Sequence, residues 1–389
     1  MRDFVFFTHN KDTFSNPMLV SLFEDLQERG RITLFAPEQE FNKPRTLDSI
    51  SVRKAPHIKY KFSLKPLIYL MIIINYIRLR KIINEFDECV LAGIDPKGFI
   101  SAALYGKYFR SINKLGYISF EIFFMDELRH SNGSVIEKEW EIRCSEKVDF
   151  VVISDEERWG LLRKENSFRD DVEVFYVPVA PKRSVGPPSI KERSDPLKIV
   201  YSGSLDPAFG VDRLLDAIGS SDNRGLDMEF HSRYRLDEND HYRKRIRGLE
   251  SDGVRIRLND DVYHEQEEYL EYLSRFDVGV CFYLPSDEFG KYSNKNIKYI
   301  GLSSGKLSYY VMMGIPVLMY GSDQFEKLNN NYNFGHVLKQ IDEVVGGVEN
   351  IANEFENKRR GCELFYQEVL NPEKKLKHLL QYLDSGGTL

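Results

Sequence analysis

Residues 199–206 of this chain read IVYSGSLD, and residues 210–218 read GVDRLLDAI; together they indicate the fold class. The first is a short apolar run that ends in the small residues Ser202, Gly203 and Ser204. The second repeats its apolar residues with the 3.6-residue period of a helix. A buried strand that turns through small residues into a helix is typical of parallel α/β sheets. Such sheets bind ligands beyond the carboxyl ends of their strands, so the turn is a candidate ligand site.

The alternation of apolar strand and helix continues along the chain in both directions. The predicted strands are 4–8, 32–35, 89–92, 116–120, 150–153, 174–177, 198–201, 228–230, 254–258, 278–282 and 316–320. Five prolines between Pro178 and Pro196 separate the two sets of strands, and proline removes backbone donors and fixes φ. We therefore predict two doubly wound, Rossmann-like α/β domains, 1–180 and 197–370, joined by a linker at 181–196.

The composition excludes several classes of protein. Hydrophobic residues make up 42% of the chain and charged residues 29%, as in ordinary globular proteins. The net charge of −6 argues against a nucleic-acid partner that is bound through its phosphates. The nearest two of the four cysteines, Cys89 and Cys144, are 55 residues apart, which favours buried thiols in a reducing cytoplasm. The first apolar run, residues 4–7, is too short for the apolar core of a secretory signal and directly follows Asp3, so such a signal is not expected.

One apolar segment, residues 67–74, leaves two interpretations open. It is shorter than the ~20 residues that span a bilayer. Basic residues flank it within 59–81, namely Lys59, Lys61, Lys65, Arg78, Arg80 and Lys81. The segment is either a buried helix of the first domain or a helix that lies on a membrane surface. In the second case the protein is cytoplasmic and peripheral, at the inner face of the cell membrane.

A second candidate ligand site lies at residues 303–317, SSGKLSYYVMMGIPV. Ser303 or Ser304 can cap a helix that runs to Gly314. The N-terminus of a helix exposes unpaired N–H groups and binds anions such as a diphosphate. Lys306 adds a positive charge in the first turn, where a lysine is unfavourable for the helix dipole. The alternative is that Lys306 is an ordinary solvated lysine.

Taken in order, these segments resemble the C-terminal half of GT-B glycosyltransferases, nearest the family-4 type. The matching residues are YSGSL (201–205), GVDRLLDAI (210–218), RFDVGV (275–280), PSDEFG (285–290) and KLSYYVMMGIPV (306–317). The resemblance implies two domains facing a cleft, a nucleotide-sugar donor on the second domain, and neither cofactor nor metal. The donor-binding residues that it implies are Ser202, Gly203, Ser204, Glu288, Lys295, Ser304, Gly305, Lys306, Leu307 and Tyr309.

The sequence departs from the family pattern at the donor diphosphate and at the ribose. The family places an Arg and a Lys in the first loop, where this chain has Ser204 and Phe209. Tyr309 stands where the family has the glutamate that binds the ribose. Glu288 is the candidate for the other family acid, and Lys295 lies in the insertion that follows it and can supply positive charge.

In the first domain, residues 117–122 (YISFEI) resemble the part of the family that faces the acceptor. Glu121 follows an apolar strand, where a carboxylate is costly unless it is paired or faces a cleft. It is a candidate to accept a proton or to orient a hydroxyl, and the alternative is a surface carboxylate. His9, after the first strand, and Asp95, after the third, are expected to face the same crevice.

The chain ends in a strongly amphipathic segment. Asn371 can cap a helix that begins at Pro372 and carries four leucines on one face. The family commonly sends its last helix back to the first domain, so residues 371–389 are predicted to pack there.

The resemblance implies an enzyme that transfers a hexose from a nucleotide-diphosphate sugar to a hydroxyl of a glycan or a lipid-linked acceptor. The alternatives are a nucleotide-sugar epimerase with the same architecture and a non-catalytic GT-B-like partner subunit.

Overall fold

The computed structural model describes residues 2–37, 43–54, 85–86, 88–106, 109, 112–128, 132–183, 192–220, 226–286, 288 and 294–385. The apolar segment 59–81 and the central part of the predicted linker lie outside these residues. The chain divides into two compact units. Unit 1 comprises Met1–Lys182 and Pro372–Leu389, and unit 2 comprises Arg183–Asn371.

Unit 1 is built on a parallel sheet of seven strands. Along the chain they are β1 (Arg2–Phe7), β2 (Gly30–Ala36), β3 (Ser51–Lys54), β4 (Cys89–Ile94), β5 (Ile112–Ser119), β6 (Phe150–Ile153) and β7 (Glu173–Tyr176). The order in the sheet is β3-β2-β1-β4-β5-β6-β7. Strands β2 and β3 extend the sheet on one side of β1, and strands β4 to β7 then extend it on the other side. The switch point of unit 1 therefore lies between β1 and β4, where open α/β sheets bind ligands.

The helices of unit 1 within the described residues are α1 (Pro17–Gln27), α2 (Asp95–Gly106), α3 (Met125–Leu128), α4 (Asn132–Ser145), α5 (Glu156–Glu165) and, at the other end of the chain, α14 (Pro372–Asp384). The Asn16 side chain caps α1 by accepting the N–H groups of Met18 and Leu19. Pro17 follows at the first helical position, where its missing N–H costs nothing.

Helix α14 completes the core of unit 1. Its four leucines are buried in the same apolar cluster as α1 and the strands. Lys114 of β5 donates to the carbonyl of Ser385 at 2.7 Å, and Arg2 donates to the carbonyl of Leu383. Cations thus satisfy carbonyl groups that the end of a helix leaves open. The predicted packing of the last helix on the first domain is confirmed.

Unit 2 is built on a parallel sheet of six strands. They are β8 (Lys198–Gly203), β9 (Asp227–Ser232), β10 (Ile256–Asn259), β11 (Val278–Phe282), β12 (Val317–Tyr320) and β13 (Gly335–Val337). The order is β10-β9-β8-β11-β12-β13, so the switch point of unit 2 lies between β8 and β11. The helices are α6 (Val211–Gly219), α7 (His241–Ser251), α8 (Gln266–Leu273), α9 (Lys295–Lys298), α10 (Gly305–Met312), α11 (Asp323–Tyr332), α12 (Val344–Asn353) and α13 (Phe355–Phe365).

The predicted α/β class with two parallel, doubly wound sheets is confirmed, and among the described strands two were not predicted. These are β3 and β13, which lie at an edge of their sheets and have only four and three residues. All four cysteines are buried, as predicted, and none forms a disulfide bond. Within the described residues, no helix is both long enough and apolar enough to cross a membrane.

Candidate functional site

The switch point of unit 2 holds a lysine surrounded by aromatic rings. The Nζ of Lys306 lies 4.3 Å from the ring centre of Tyr201, 5.0 Å from that of Tyr283 and 5.1 Å from that of Phe209. It also donates a hydrogen bond of 3.2 Å to the hydroxyl of Tyr201. These four residues, together with Gly203, are called the lysine site below. The negative faces of aromatic rings attract an ammonium group without neutralising it.

Lys306 has no acidic partner in the part of the chain that the structure describes. Burial lowers the pKa of its ammonium group to about 8. The nearby charge of Arg233 lowers this pKa as well, whereas Cys281 raises it. A partly desolvated cation without a carboxylate gains most from a bound anion. The lysine site can therefore receive a phosphate or diphosphate.

Gly203, the last residue of β8, keeps the approach to Lys306 open. Its φ of +153° is a conformation that L side chains rarely adopt. A Cβ at this position would lie 3.6 Å from Cε and 3.7 Å from Nζ of Lys306. Any side chain at residue 203 would therefore extend beside the ammonium group.

Helix α10 brings its N-terminus to the lysine site. Ser304 is the N-cap residue, and its Oγ accepts the N–H of Leu307 at 3.3 Å and bonds to the hydroxyl of Tyr283 at 2.7 Å. The N–H groups of Gly305 and Lys306 have no acceptor among the described residues. Two free N–H groups beside an ammonium group are a strong combination for an anion. Leu307 takes part through its backbone alone, since its side chain is fully buried.

Ser202 and Ser204 differ in their surroundings. Ser202 is buried, and its hydroxyl bonds to Nδ1 of His231 at 2.7 Å and to the hydroxyl of Tyr269 at 2.8 Å. Its contribution is therefore to hold β8 against β9 rather than to present its own hydroxyl. Ser204 is half-buried, and its carbonyl accepts the hydroxyl of Tyr201 at 2.8 Å.

Tyr309 lies in the first turns of α10 and is half-buried. Its ring meets that of Tyr269 edge to face, with the centres 5.0 Å apart. Tyr269 is in turn hydrogen-bonded to Ser202, so Tyr309 is connected to the end of β8. An aromatic surface can stack on a base or a sugar ring, whereas it cannot accept two ribose hydroxyls as a glutamate does.

Glu288 and Lys295 are not among the residues whose contacts define the lysine site. Glu288 is exposed, and its N–H donates to the Oγ of Ser286 at 3.2 Å. Lys295 begins the short helix α9. Neither forms a hydrogen bond or ion pair with Lys306 in the residues that are described. Their predicted role in donor binding stays a prediction.

The switch point of unit 1 holds two carboxyl groups and a histidine, whereas that of unit 2 holds a lysine. His9 follows β1, Asp95 follows β4 and Glu121 lies just beyond the end of β5; these three residues are called the acid site below. The Nε2 of His9 is 2.9 Å from the Oγ of Ser101 on α2. Gly98 permits this arrangement, because a Cβ there would lie 2.4 Å from the carbonyl oxygen of Phe7.

Glu121 is the most perturbed carboxyl group of the acid site. Burial raises its pKa to about 8, the charge of Asp95 raises it as well, and that of Arg158 lowers it. Burial also raises the pKa of Asp95, to about 6. The side chain of Glu121 is not fully buried and forms no hydrogen bond within the described residues. It can therefore give a proton to, or take one from, a bound molecule at neutral pH.

Several residues of the two sites were not predicted from the sequence. The rings of Tyr201 and Tyr283 were not singled out, although each stands close to the end of a strand beside the switch point. A tyrosine at the end of a strand beside the switch point is therefore a feature by which such residues could be predicted from the sequence. Arg158 and Arg233 were also missed, since neither lies in a recognisable motif.

Comparison with solved structures identifies the fold. Sucrose-phosphate synthase from Thermosynechococcus elongatus is similar over 98% of both chains, with a TM-score of 0.69 and 12% identity. HepE from Anabaena, in complex with UDP-glucose, is similar over 98% of this chain and all of its own, with a TM-score of 0.66 and 11% identity. WaaG, a glycosyltransferase involved in lipopolysaccharide biosynthesis, is similar over 99% of this chain and all of its own (TM-score 0.65, 13% identity). No family model and no curated protein matches the sequence. The likeness confirms the predicted GT-B fold.

Proposed function

We propose that this protein is a glycosyltransferase that transfers a hexose from a nucleotide-diphosphate sugar to a hydroxyl group of a glycan or a lipid-linked acceptor. The observation that carries the proposal is the lysine site. It places an ammonium group without an acidic partner among the described residues, and two free N–H groups, at one switch point. A diphosphate is the part of a sugar donor that needs these groups.

The donor binds to unit 2 through its diphosphate. The N–H groups of Gly305 and Lys306 and the ammonium group of Lys306 donate to phosphate oxygens, and Gly203 leaves room for them. When the bond from the sugar to the phosphate breaks, the same donors stabilise the charge on the departing nucleoside diphosphate. We propose that these fixed groups suffice for that step and that no metal ion is needed.

The acceptor binds to unit 1, where Glu121 meets its hydroxyl group. As the acceptor oxygen bonds to the anomeric carbon, the hydroxyl proton passes to the carboxylate of Glu121 and the nucleoside diphosphate leaves. A pKa of about 8 suits this role, because a base works best when its pKa is near the working pH. His9 is proposed as a second polar contact of the acceptor, held in place by Ser101.

The comparisons support a nucleotide-sugar donor. HepE was solved with UDP-glucose and also with UDP and glucose, and WaaG acts in lipopolysaccharide biosynthesis. We propose by analogy that this protein acts in polysaccharide or glycoconjugate synthesis in the cytoplasm, at the inner face of the membrane. Contact with the membrane through residues 59–81 is part of the proposal and rests on the sequence alone.

The alternative of a non-catalytic partner subunit rests on the Arg and the Lys that the first loop of this chain lacks. Lys306 and Arg233 provide positive charge at the same switch point from other elements, since the charge of Arg233 reaches Lys306. No observation favours the epimerase. Analysis of the products would distinguish it, because an epimerase converts the donor without a second substrate.

The first experiment is a binding screen with UDP, GDP, ADP, CMP and dTDP, measured by thermal shift and then by calorimetry. One diphosphate is expected to bind wild-type protein and the variant Lys298→Ala equally well. Lys298 is a suitable control because Asp323 already pairs with it at 3.3 Å. Failure of every nucleotide to bind would contradict the proposal. Transfer is then tested by the release of UDP from UDP-glucose.

A further inference from the structure

The loop that carries Glu121 is held by two side chains from different helices. Oδ1 of Asp95, the first residue of α2, accepts the N–H groups of Phe120 at 2.8 Å and of Glu121 at 3.0 Å. Nη2 of Arg158, on α5, donates to the carbonyl of Phe120 at 2.5 Å. The backbone next to Glu121 is therefore bound through both its donors and its acceptor.

The backbone of Asp95 is strained. Its φ of +58° lies in the left-handed region, which is uncommon for residues other than glycine. The other such residue in the described part of the chain is Asn333, and it directly follows α11, where this conformation is ordinary. Asp95 instead begins a helix. Strained residues of this kind concentrate at functional sites, where the surrounding structure maintains them.

Arg158 is held as firmly as Asp95. Its side chain is almost completely buried, and its own N–H donates to Oδ1 of Asp155, the residue that caps α5. Both partners of the loop are thus fixed to the first turn of a helix. Asp95 and Arg158 both form side-chain hydrogen bonds, whereas the side chain of Glu121 forms none with the described residues.

We infer that Asp95 and Arg158 are positioning residues, which hold Glu121 where it meets the acceptor hydroxyl group. The role of Glu121 rests on the proposed function, whereas its position and environment do not. Neither Asp95 nor Arg158 needs to touch the substrate. Both act through the backbone of residues 120 and 121 and through their charges.

The charges of the two positioning residues act on Glu121 in opposite directions. A carboxylate at residue 95 disfavours a second negative charge, so it raises the pKa of Glu121, whereas the guanidinium group of Arg158 lowers it. Other charged or titratable groups face this pair. They are Glu141, which acts on Asp95, and Asp155 and Tyr117, which act on Arg158.

The test is an infrared titration of Glu121 in the full-length protein, from about pH 5 to about pH 10. The band of the protonated carboxyl group is assigned by its loss in Glu121→Gln. Asp95→Asn is expected to lower the midpoint by about one pH unit, and Arg158→Gln is expected to raise it by a similar amount. Arg158→Lys keeps the charge and should leave the midpoint near that of the wild type.

The matched control is Asp277→Asn in unit 2. Asp277 is also buried, and its carboxylate also accepts two backbone N–H groups, those of Ser194 at 3.4 Å and Lys198 at 2.9 Å. Its replacement should leave the midpoint of Glu121 unchanged. A midpoint that stays constant in Asp95→Asn and Arg158→Gln, or in whichever of the two folds, would overturn the inference. Because the two residues lie on different helices, either variant decides the matter if the other does not fold.

A second measurement separates this inference from the proposed function. Hydrolysis of the glucose derivative of whichever diphosphate binds in the screen above (UDP-glucose where UDP binds), with water in place of the acceptor, is followed in the same variants. Midpoints that shift as expected without any hydrolysis would support the positioning role and contradict the proposed function. Hydrolysis that depends on Glu121, together with constant midpoints, would support the function and contradict the positioning role.

Discussion

The switch points of the two units have the same topology and opposite chemistry. In unit 1 carboxyl groups follow the ends of β4 and β5, and burial raises the pKa of Glu121 to about 8. In unit 2 the strand ends around β8 and β11 enclose Lys306, and burial lowers its pKa to about 8. Desolvation is the largest cause in both and favours the neutral form of each group. In the proposed function, Glu121 takes a hydroxyl proton in unit 1 and Lys306 binds an anion in unit 2.

The largest expected effect concerns the cores rather than the sites. Unit 1 buries the leucines of α14, so deleting everything after Leu370 removes apolar contacts from unit 1. Four buried leucines at roughly 1.5–3 kcal/mol each give a gross upper value of about 6–12 kcal/mol. The truncated protein is expected to be poorly soluble or to unfold at a clearly lower temperature in calorimetry. Melting in one transition at an unchanged temperature would show that unit 1 does not depend on α14.

The next largest effect is on turnover. Glu121→Gln keeps the size of the side chain and removes its ability to take a proton. We expect kcat to fall by about 10²-fold or more, while the Kd for the nucleoside diphosphate stays constant. Near-normal turnover would mean that Glu121 is a carboxyl group without a catalytic role. Loss of donor affinity in this variant would contradict the separate chemistry of the two sites.

A smaller effect is expected on donor affinity. Lys306→Ala removes the ammonium group, and Gly203→Val fills the space beside it. Each should weaken binding of the nucleoside diphosphate by about tenfold, or about 1.4 kcal/mol. Calorimetric titration measures the change, with Lys298→Ala as the control lysine. Unchanged affinity in both variants, with folding intact, would place the donor elsewhere.

The smallest effect is a pH dependence of opposite sign at the two sites. As the pH rises through about 8, Lys306 loses its positive charge, so the nucleoside diphosphate should bind about three- to tenfold more weakly at pH 9 than at pH 7. Over the same range Glu121 loses its proton and gains the form that accepts one, so kcat should rise. Titrations at several pH values measure the first trend, and Lys306→Ala should abolish it. If affinity and kcat changed in the same direction with pH, the opposite roles assigned to Lys306 and Glu121 would be contradicted.

The central strands of both sheets were predictable because they are continuous apolar runs. The two edge strands that were missed lack that signal, because β3 reads SVRK and β13 reads GHV, whereas the edge strands β7 (EVFY) and β10 (IRLN) keep enough apolar residues to be predicted. Lys306 and Glu121 are recognisable in the sequence as candidate site residues because each departs from its local pattern. One is a cation in the first turn of a helix, and the other is an acid after an apolar strand.

The surroundings of these two residues were not predictable in the same way. Tyr201, Phe209 and Tyr283 meet around Lys306 from three separate segments, and only tertiary packing determines that their rings lie about 4–5 Å from its Nζ. The contacts from Asp95 and Arg158 to the loop of Glu121 are likewise long-range. Sequence patterns report on neighbours within one element, whereas the pKa values depend on groups from several elements.

The split composition of unit 1 also affects how the protein is synthesised. Unit 2 is continuous in sequence, from Arg183 to Asn371, so its whole sequence has been translated before α14 is complete. Unit 1 begins first, yet its core requires leucines up to Leu383. Domains generally fold as units during translation. On the ribosome, therefore, unit 2 can reach its final fold before unit 1, although it is made second. Until α14 has been synthesised, the apolar face of unit 1 that it covers remains exposed, and chaperones can bind there.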